Sequence, residues 1–591
     1  MSIPSLVTSP APPLRDAQLD RRAFFSLCAA AGIGTPVMAE ALWHDLQAQA
    51  PAPPGPPPPQ QQQQPLRVTL AMASGAAALY GLEFTEAELQ MALQNLNNGL
   101  RSYEQLRGVT LTNDVPPALQ FSPVLPGRSF AGPRPVQPPA PRPRPSVTRP
   151  ASDEELAFRS LVELGELVRT RQVGAMELTR LSLDRLKRYD AQLFGVVNLT
   201  EERALRQAED ADREIAAGRY RGPLHGIPWG AKDLLAVPGY PTTWGSPIYQ
   251  ERIIDDTATV VERLDAAGAI LVAKLSLGEF AQGDVWYGGT TRNPWNPEQG
   301  SSGSSAGPGS ATAAGLVAFA IGSETLGSIV SPSTRNGVSG LRPTFGRVSR
   351  HGAMALSWSM DKLGPMCRSV EDCALVLEAI FGPDGKDPTV VAAPFAWDPT
   401  RPLDSLRVGY LKAAFDAPRN TKALDDAALE AARGLFDLVE VEIPDDLPVG
   451  AMRIILTAEA AAAFDEITRS NQDDLMVRQN AGAWPNSFRS ARFIPAVEYI
   501  QANRVRTLLM REMEKVFENL DVLLTPSFGG SVLLITNLTG HPGVCVPSGF
   551  TERNTPVSVS FIGRLFGEAD LCRVAMAWQE ATGWHRRHPA L

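Results

Sequence analysis

Two glycine/serine turns bracket a single helix–strand unit in this chain, and few backbones can accommodate that order. The first turn runs through Gly300-Ser301-Ser302-Gly303-Ser304-Ser305-Ala306-Gly307 and leads at once into the small, helix-competent Ala311-Thr312-Ala313-Ala314. A short apolar segment, Val317 to Ile321, follows and reads as a buried strand; the second turn, Leu326-Gly327-Ser328, comes directly after it. A flexible linker has no reason to be welded to helix and strand in this way. Small residues instead let backbone N–H groups converge on one point, which is what stabilising an oxyanion requires. A phosphate-binding loop uses glycine similarly, but neither GxxxxGK[ST] nor GxGxxG is present.

The turns carry two serines 24 positions apart, Ser304 and Ser328, and a lysine, Lys232, stands 72 positions before the first. A hydroxyl is a weak nucleophile until something takes its proton, and a lysine can do so only when burial has stripped its own charge. With a reference pKa of about 10.4, a lysine acting near neutrality must be lowered by about three pH units, a cost on the order of 4 kcal/mol that a dry core can impose. A serine with one donor and two acceptor sites can bridge such a base to a second serine. The pattern reads as a serine hydrolase that uses no histidine. Lys274 is the rival lysine, but it ends a buried-strand pattern outside the Pro-bounded run Gly226-Ile227-Pro228-Trp229-Gly230-Ala231-Lys232-Asp233. Ser302, Ser305 and Ser331 are neighbouring alternatives to the two chosen serines.

From about residue 150 onward, helical and short apolar segments alternate. Val260, Val261 and Leu264 line one helix face, Gly268 sits where that helix should stop, and Ala269 to Ala273 follows as a strand. Further strands are expected at Leu406 to Leu411, Asp521 to Thr525, Gly543 to Pro547 and Val557 to Ile562. Interleaving of this kind predicts an α/β fold, a sheet covered by helices on both faces. Ser152-Asp153-Glu154-Glu155 has capping-box form and is expected to open one helix carrying Leu156, Leu161, Leu164 and Val168.

Ahead of that body the chain changes character. Twenty-five of its 51 prolines fall within the first 150 residues, a quarter of the chain, and five segments are expected: a signal peptide at 1–41, a Pro/Gln-rich disordered spacer at 42–65, a short helical extension at 66–125, a Pro/Arg-rich linker at 126–150 and a catalytic domain at 151–591. Asp20-Arg21-Arg22-Ala23-Phe24-Phe25 opens a moderately apolar stretch, broken by Gly32, Gly34 and Pro36, that resembles a twin-arginine export signal. It is short for a membrane span, so no stable insertion is expected after processing; export to the periplasm is the expected fate, with the cytoplasm as the alternative. Thr85-Glu86-Ala87-Glu88 also has capping-box form, and Leu89, Leu93, Leu96, Leu100 and Tyr103 recur at helical spacing, with Leu66 to Tyr80 as a partner segment.

The formal charge of −9, from 55 basic against 64 acidic side chains, disfavours nucleic acid as a partner. The five cysteines show no CxxC and the six histidines are scattered, so neither a disulfide framework nor a metal site is indicated.

Several ordered motifs together, Gly222-Pro223-Leu224-His225-Gly226-Ile227-Pro228, Lys232-Asp233, the first Gly/Ser run, Gly327-Ser328-Ile329, Gly340-Leu341-Arg342-Pro343-Thr344-Phe345-Gly346-Arg347-Val348-Ser349 and Ala581-Thr582-Gly583-Trp584-His585, resemble the amidase signature family over residues 150 to 591. The resemblance implies the amidase signature fold, with a mixed β-sheet core, and a Ser-cisSer-Lys triad: Ser328 as nucleophile, Ser304 held through a cis peptide, Lys232 as base. It also implies oxyanion and substrate-binding roles around Thr325, Leu326 and Gly327, with Ser305 supporting the turn, and no cofactor. The implied reaction is hydrolysis of a small-molecule carboxylic amide, or an aryl amide, ester or carbamate, through an acyl-enzyme. Two other readings stand beside it: a glutamine-hydrolysing amidotransferase A-type subunit, and a binding protein on a weakened amidase fold. A homodimer is left open. The His225 motif reads as structural, and Trp229, Trp244, Met360 and the segment from Ala451 to Phe493 as the variable wall of the acyl pocket.

The family usually has Asp-Thr-Gly-Gly-Ser-Ile-Arg where this chain has Glu324-Thr325-Leu326-Gly327-Ser328-Ile329-Val330. With the arginine replaced by Val330, the acid–arginine pair that braces the loop is expected to be lost, and Leu326 adds a side chain near the docking point of a carbonyl. Ser302 stands where a glycine is usual.

Overall fold

The computed structural model describes residues 67–107, 113, 119–128, 130 and 145–591. The expectations for the signal peptide, the spacer, Cys28 and most of the Pro/Arg-rich linker lie outside the described residues. The chain divides into two compact units, Met1–Val109 and Thr110–Leu591.

In the first unit, helices Leu70–Leu79 and Glu86–Arg107 pack through Ala73, Leu89 and Leu93. The capping box forms as expected: Glu88 N–H donates to Thr85 Oγ1 at 3.3 Å and Thr85 N–H to Glu88 Oε2 at 2.7 Å. Asn97, almost fully buried, ties the pair together. Its Oδ1 accepts from the N–H groups of Arg67 and Val68 at 2.8 and 2.9 Å, and its Nδ2 donates to Val68 O and Leu93 O. Leu96 stays exposed, so the buried stripe is narrower than its sequence spacing implied.

The second unit is built on one eleven-stranded sheet. Its strands in chain order are β1 (Val196–Leu199), β2 (Pro228–Lys232), β3 (Ile270–Leu275), β4 (Phe319–Glu324), β5 (Ser339–Arg342), β6 (Lys362–Cys367), β7 (Val408–Leu411), β8 (Val439–Val441), β9 (Val522–Pro526), β10 (Gly543–Phe550) and β11 (Pro556–Gly563). They lie in the order β1-β3-β2-β4-β6-β5-β10-β11-β9-β7-β8. The pairs β3–β2, β2–β4, β9–β7 and β7–β8 are parallel and the rest antiparallel, so the sheet is mixed.

Successive residues of the central strands enter different apolar clusters, as the two-residue period of a strand demands. Leu271, Phe319 and Ile321 join a cluster with helices Leu161–Arg169 and Val370–Ile380, while Ile270, Val272 and Ala320 join another with Ala175–Leu193 and Glu201–Ala216. Both faces are therefore covered, as expected from the alternation of segments. Gly268 ends the helix Thr259–Ala266 with φ +80°, a left-handed turn that suits glycine.

One sequence expectation fails in detail. The helix expected from Ser152 through Val168 is two helices, Asp153–Ala157 and Leu161–Arg169, because Ser160 starts a second capping box with Glu163. The remaining cysteines, Cys367, Cys373, Cys545 and Cys572, are buried and free.

Candidate active site

Three elements meet where the Gly/Ser turns close. β2 runs parallel to β4 with Ala231 level with Ile321, so Lys232 at the end of β2 arrives beside Gly322 and Ser323. The first turn then crosses above β4. Gly322 makes this possible, since a Cβ there would lie 2.8 Å from Ser305 Oγ, and Gly303 likewise, where a Cβ would lie 1.9 Å from the carbonyl oxygen of Gly283. The Gly303–Ser304 peptide is cis.

Lys232 Nζ is fully buried and lies 2.8 Å from Ser304 Oγ, 3.0 Å from Ser305 Oγ and 2.9 Å from Ser323 Oγ. These contacts are hydroxyls, with the Ser323 carbonyl at 3.5 Å. Burial drives the amine well below its ordinary pKa of 10.5, against the pull of the more distant Asp361 and Glu324 carboxylates. Ser305 also receives Ser323 N–H and donates to Ser323 O, both at 3.1 Å. Its hydroxyl is thereby committed to the lysine pocket rather than to the side from which a substrate would approach.

Ser328 stands on the second turn, four residues beyond the end of β4. Its carbonyl accepts from Ser305 N–H at 3.1 Å, which fixes the two turns against each other, and its hydroxyl makes no hydrogen bond among the described residues. Gly327 takes φ +85°, the left-handed conformation that requires glycine, while Leu326 keeps an ordinary backbone and is half-buried. That is why a leucine is tolerated at one usual glycine position and not at the other. The N–H groups of Leu326, Gly327 and Ser328 have no acceptor among the described residues. Those of Ile329 and Val330 are taken by Glu324 Oε2 at 2.9 and 3.0 Å.

Glu324 corrects an expectation. Its Oε1 accepts from Arg342 at 2.8 Å and from Asn537 Nδ2 at 2.8 Å, with both charged side chains buried. The brace thought lost with the arginine replaced by Val330 is present, delivered from β5, two strands away in the sheet. The carboxyl is held down to about 2, because Arg342, Lys362 and the N–H donors outweigh the burial penalty.

The other charged residues here are structural. Lys274 is as buried as Lys232 but pairs with Asp233 at 2.7 Å and donates to Thr242 Oγ1 and Pro241 O. Lys362, also driven down by burial and by Arg342, donates to Asn537 Oδ1 at 2.7 Å. A lowered pKa is thus shared by several lysines, and the ring of hydroxyls singles out Lys232. His225 is buried and takes Arg221 N–H on Nδ1, in keeping with a structural role.

A cavity of about 130 Å³ adjoins this cluster at Ser323 and Thr325 and extends past Asp361, Leu356 and Glu459. Ser328 is not among its lining residues, so the cavity reaches the neighbours of the nucleophile candidate rather than its hydroxyl. Asp361 joins the two regions. Its Oδ1 accepts from Thr325 Oγ1 at 2.5 Å, and its Oδ2 from the N–H groups of Leu356 and Ser357. Of the expected pocket residues, Trp229 is sealed in the core against Phe319, Trp244 packs on Phe280 and Phe464, and Met360 is buried between two cavity residues. From the segment Ala451 to Phe493, Glu459 lines the cavity. Sequence reasoning missed Ser323, Glu324 as an ion-pair partner, and Asp361. Among the described residues no group of His, Cys, Asp and Glu could hold a metal ion.

A protein-family model described as Amidase matches residues 177–535, more than half of the chain. The chain belongs to the amidase signature family. It is a hydrolase acting on carbon–nitrogen bonds. This amidase is 36% identical over 481 residues to a putative amidase, AmiD, of Mycobacterium bovis, with 75% of this chain and 98% of that protein covered. It is 33% identical over 481 residues to the A-type subunit of the glutamyl-tRNA(Gln) amidotransferase of Dechloromonas aromatica, covering 73% of this chain and 98% of that one. Among solved structures, the native peptide amidase of Stenotrophomonas maltophilia superposes with a TM-score of 0.66 at 31% identity, covering 73% and 98% of the two chains.

Proposed function

We propose that this amidase hydrolyses a small carboxylic amide through an acyl-enzyme on Ser328. The observation that carries the reading is the buried Lys232 amine, 2.8 Å from Ser304 Oγ and surrounded by hydroxyls. Ser328 Oγ attacks the carbonyl carbon while its proton passes to Ser304, whose own proton passes to the neutral amine of Lys232. The oxyanion so formed is received by the free N–H groups of Leu326, Gly327 and Ser328. As the C–N bond breaks, the proton returns along the same path to the leaving nitrogen. Water then attacks the acyl carbon and loses its proton along the same path to Lys232; as the bond between Ser328 Oγ and the acyl carbon breaks, that proton returns to Ser328 Oγ and the acid leaves.

The similarity to AmiD and to peptide amidase supports an amide substrate, and the similarity to the glutamyl-tRNA(Gln) amidotransferase chain supports a second reading in which glutamine is the substrate and ammonia is handed on. The Arg21-Arg22 leader favours the first, because a route out of the cytoplasm separates the enzyme from tRNA. We propose export on the same sequence feature.

Turnover of an acyl anilide by the full chain, abolished in Ser328→Ala, is the expected result, with fluorophosphonate labelling confined to Ser328. Turnover of free glutamine in preference to every anilide and peptide amide would move the assignment to the second reading. A folded chain that labels at no serine and turns over none of these substrates would leave a binding protein.

A further inference from the structure

We infer that residues 119–121, from the segment ahead of the family-matched region, form a specificity-determining wall of the cavity beside the active site. The inference rests on the reading that Ser328 is the nucleophile and goes on to say what bounds its substrate.

Asn113, Leu119, Gln120 and Phe121 line the same cavity as Ser323 and Thr325. They lie outside the residues 177–535 that the family model matches, so this wall is one the matched region does not supply. The segment is tied down on both sides of the cavity. Asn113 imitates a strand neighbour to Ala355, accepting its N–H on Oδ1 at 2.6 Å and donating from Nδ2 to its carbonyl at 2.9 Å. Phe121 lies 3.5 Å under the Arg506 guanidinium and edge-on to Phe345 at 5.0 Å. Beyond it, Arg128 pairs with Glu514 and Phe130 packs on Phe566.

Between the two anchors, Leu119 lines the cavity while 74% exposed, which places a large apolar side chain at the mouth. Solvent gains nothing from it there, whereas a substrate arm passing out of the cavity would cover it. The Phe121 anchor is also registered to the chemistry. Arg506 donates to Ser359, Ser359 and Ser357 donate to Glu459, and Ser357 and Thr325 donate to Asp361, a continuous polar chain from the wall to the oxyanion turn. Leu119 stands outside that chain, so it can be changed without disturbing it. The ligand class that fits is an amide bearing an extended aliphatic arm on its acyl or its amine side.

The test uses the full chain with Leu119→Ala and Leu119→Asp, on acetyl and octanoyl p-nitroanilides and on N-methyl and N-octyl acetamides. The expected result is a long-to-short ratio of kcat/KM lowered about tenfold by Leu119→Ala in one of the two series, through KM, and lowered further by Leu119→Asp, with the short substrates unchanged. An unchanged ratio in both series, or an equal loss on long and short substrates, would overturn the wall. If Ser328→Ala retained turnover, the reading beneath it would fail instead, and the two failures are distinguishable because they are read on different variants.

Discussion

Lys232 and Lys274 are both sealed from solvent at the ends of neighbouring parallel strands, β2 and β3, yet they are held in opposite ways. Lys274 has Asp233 at 2.7 Å, and the burial that lowers its pKa is opposed by a contacting carboxylate. Lys232 has three serine hydroxyls and a carbonyl within reach, and its nearest carboxylates act only from a distance. One amine is kept as half of an ion pair; the other is left free to be neutral. Burial alone does not make a base, and the chemistry lies in what the fold withholds from the buried group.

Function and stability should part company at these two lysines. Lys232→Ala should lower kcat/KM by about three orders of magnitude in an anilide assay at neutral pH while the urea midpoint hardly moves, because no buried partner is left charged. Lys274→Ala should do the reverse through folding: Asp233 would stay buried without its cation, at a cost of about 3–5 kcal/mol read from urea melts. Loss of activity without loss of stability in Lys274→Ala would undo the distinction.

Glu324 is the acidic counterpart. Its folded pKa, about 2, lies below the ordinary 4.5, so the unfolded chain binds the extra proton between these values and stability must fall as pH drops through that window. Above pH 4.5 the contribution is fully present. Glu324→Gln should be less stable at neutral pH and show a flatter acid limb between pH 4.5 and 2 by thermal melts; an unaltered limb would mean that Glu324 does not supply the pH dependence. The smallest effect is expected at Ser302, which holds φ +59° at a position where the family usually has glycine. Ser302→Gly should gain about 0.5–1 kcal/mol in the same melts, because a left-handed serine is disfavoured in the folded state; a loss of stability would mean that its hydroxyl matters more than its backbone.

Much of this was legible in the residues. The apolar segments at Gly543 to Pro547 and Val557 to Ile562 fall within β10 and β11, the segment Val317 to Ile321 overlaps the first half of β4, and Ser304 and Lys232 come together as the family's spacing implied. β2 was not legible, since Pro228 and Gly230 lower strand propensity; burial on both faces overrides it, and Gly230 is needed because a Cβ there would lie 2.3 Å from Leu275. β5 and β6 were hidden for the same reason, by Gly340, Arg342, Lys362, Gly364 and Pro365. The Glu324–Arg342 brace could not be read from local sequence because it spans an intervening strand. Ser323 left only a faint signal, its place at the end of β4 two residues ahead of Thr325, and the wall at residues 119–121 left none.

The most direct test follows the rate of Ser328 labelling by a fluorophosphonate against pH, in the wild type and in Lys232→Ala. Because the competent amine is the neutral one and its pKa is driven well below 10.5, the wild-type rate should fall only as pH drops through that lowered value and should already be level well below the range where an exposed lysine titrates. Lys232→Ala should be slow throughout and lack that step. A wild-type rate still climbing toward about pH 10, where an ordinary lysine loses its proton, or a variant that keeps the wild-type profile, would contradict the account.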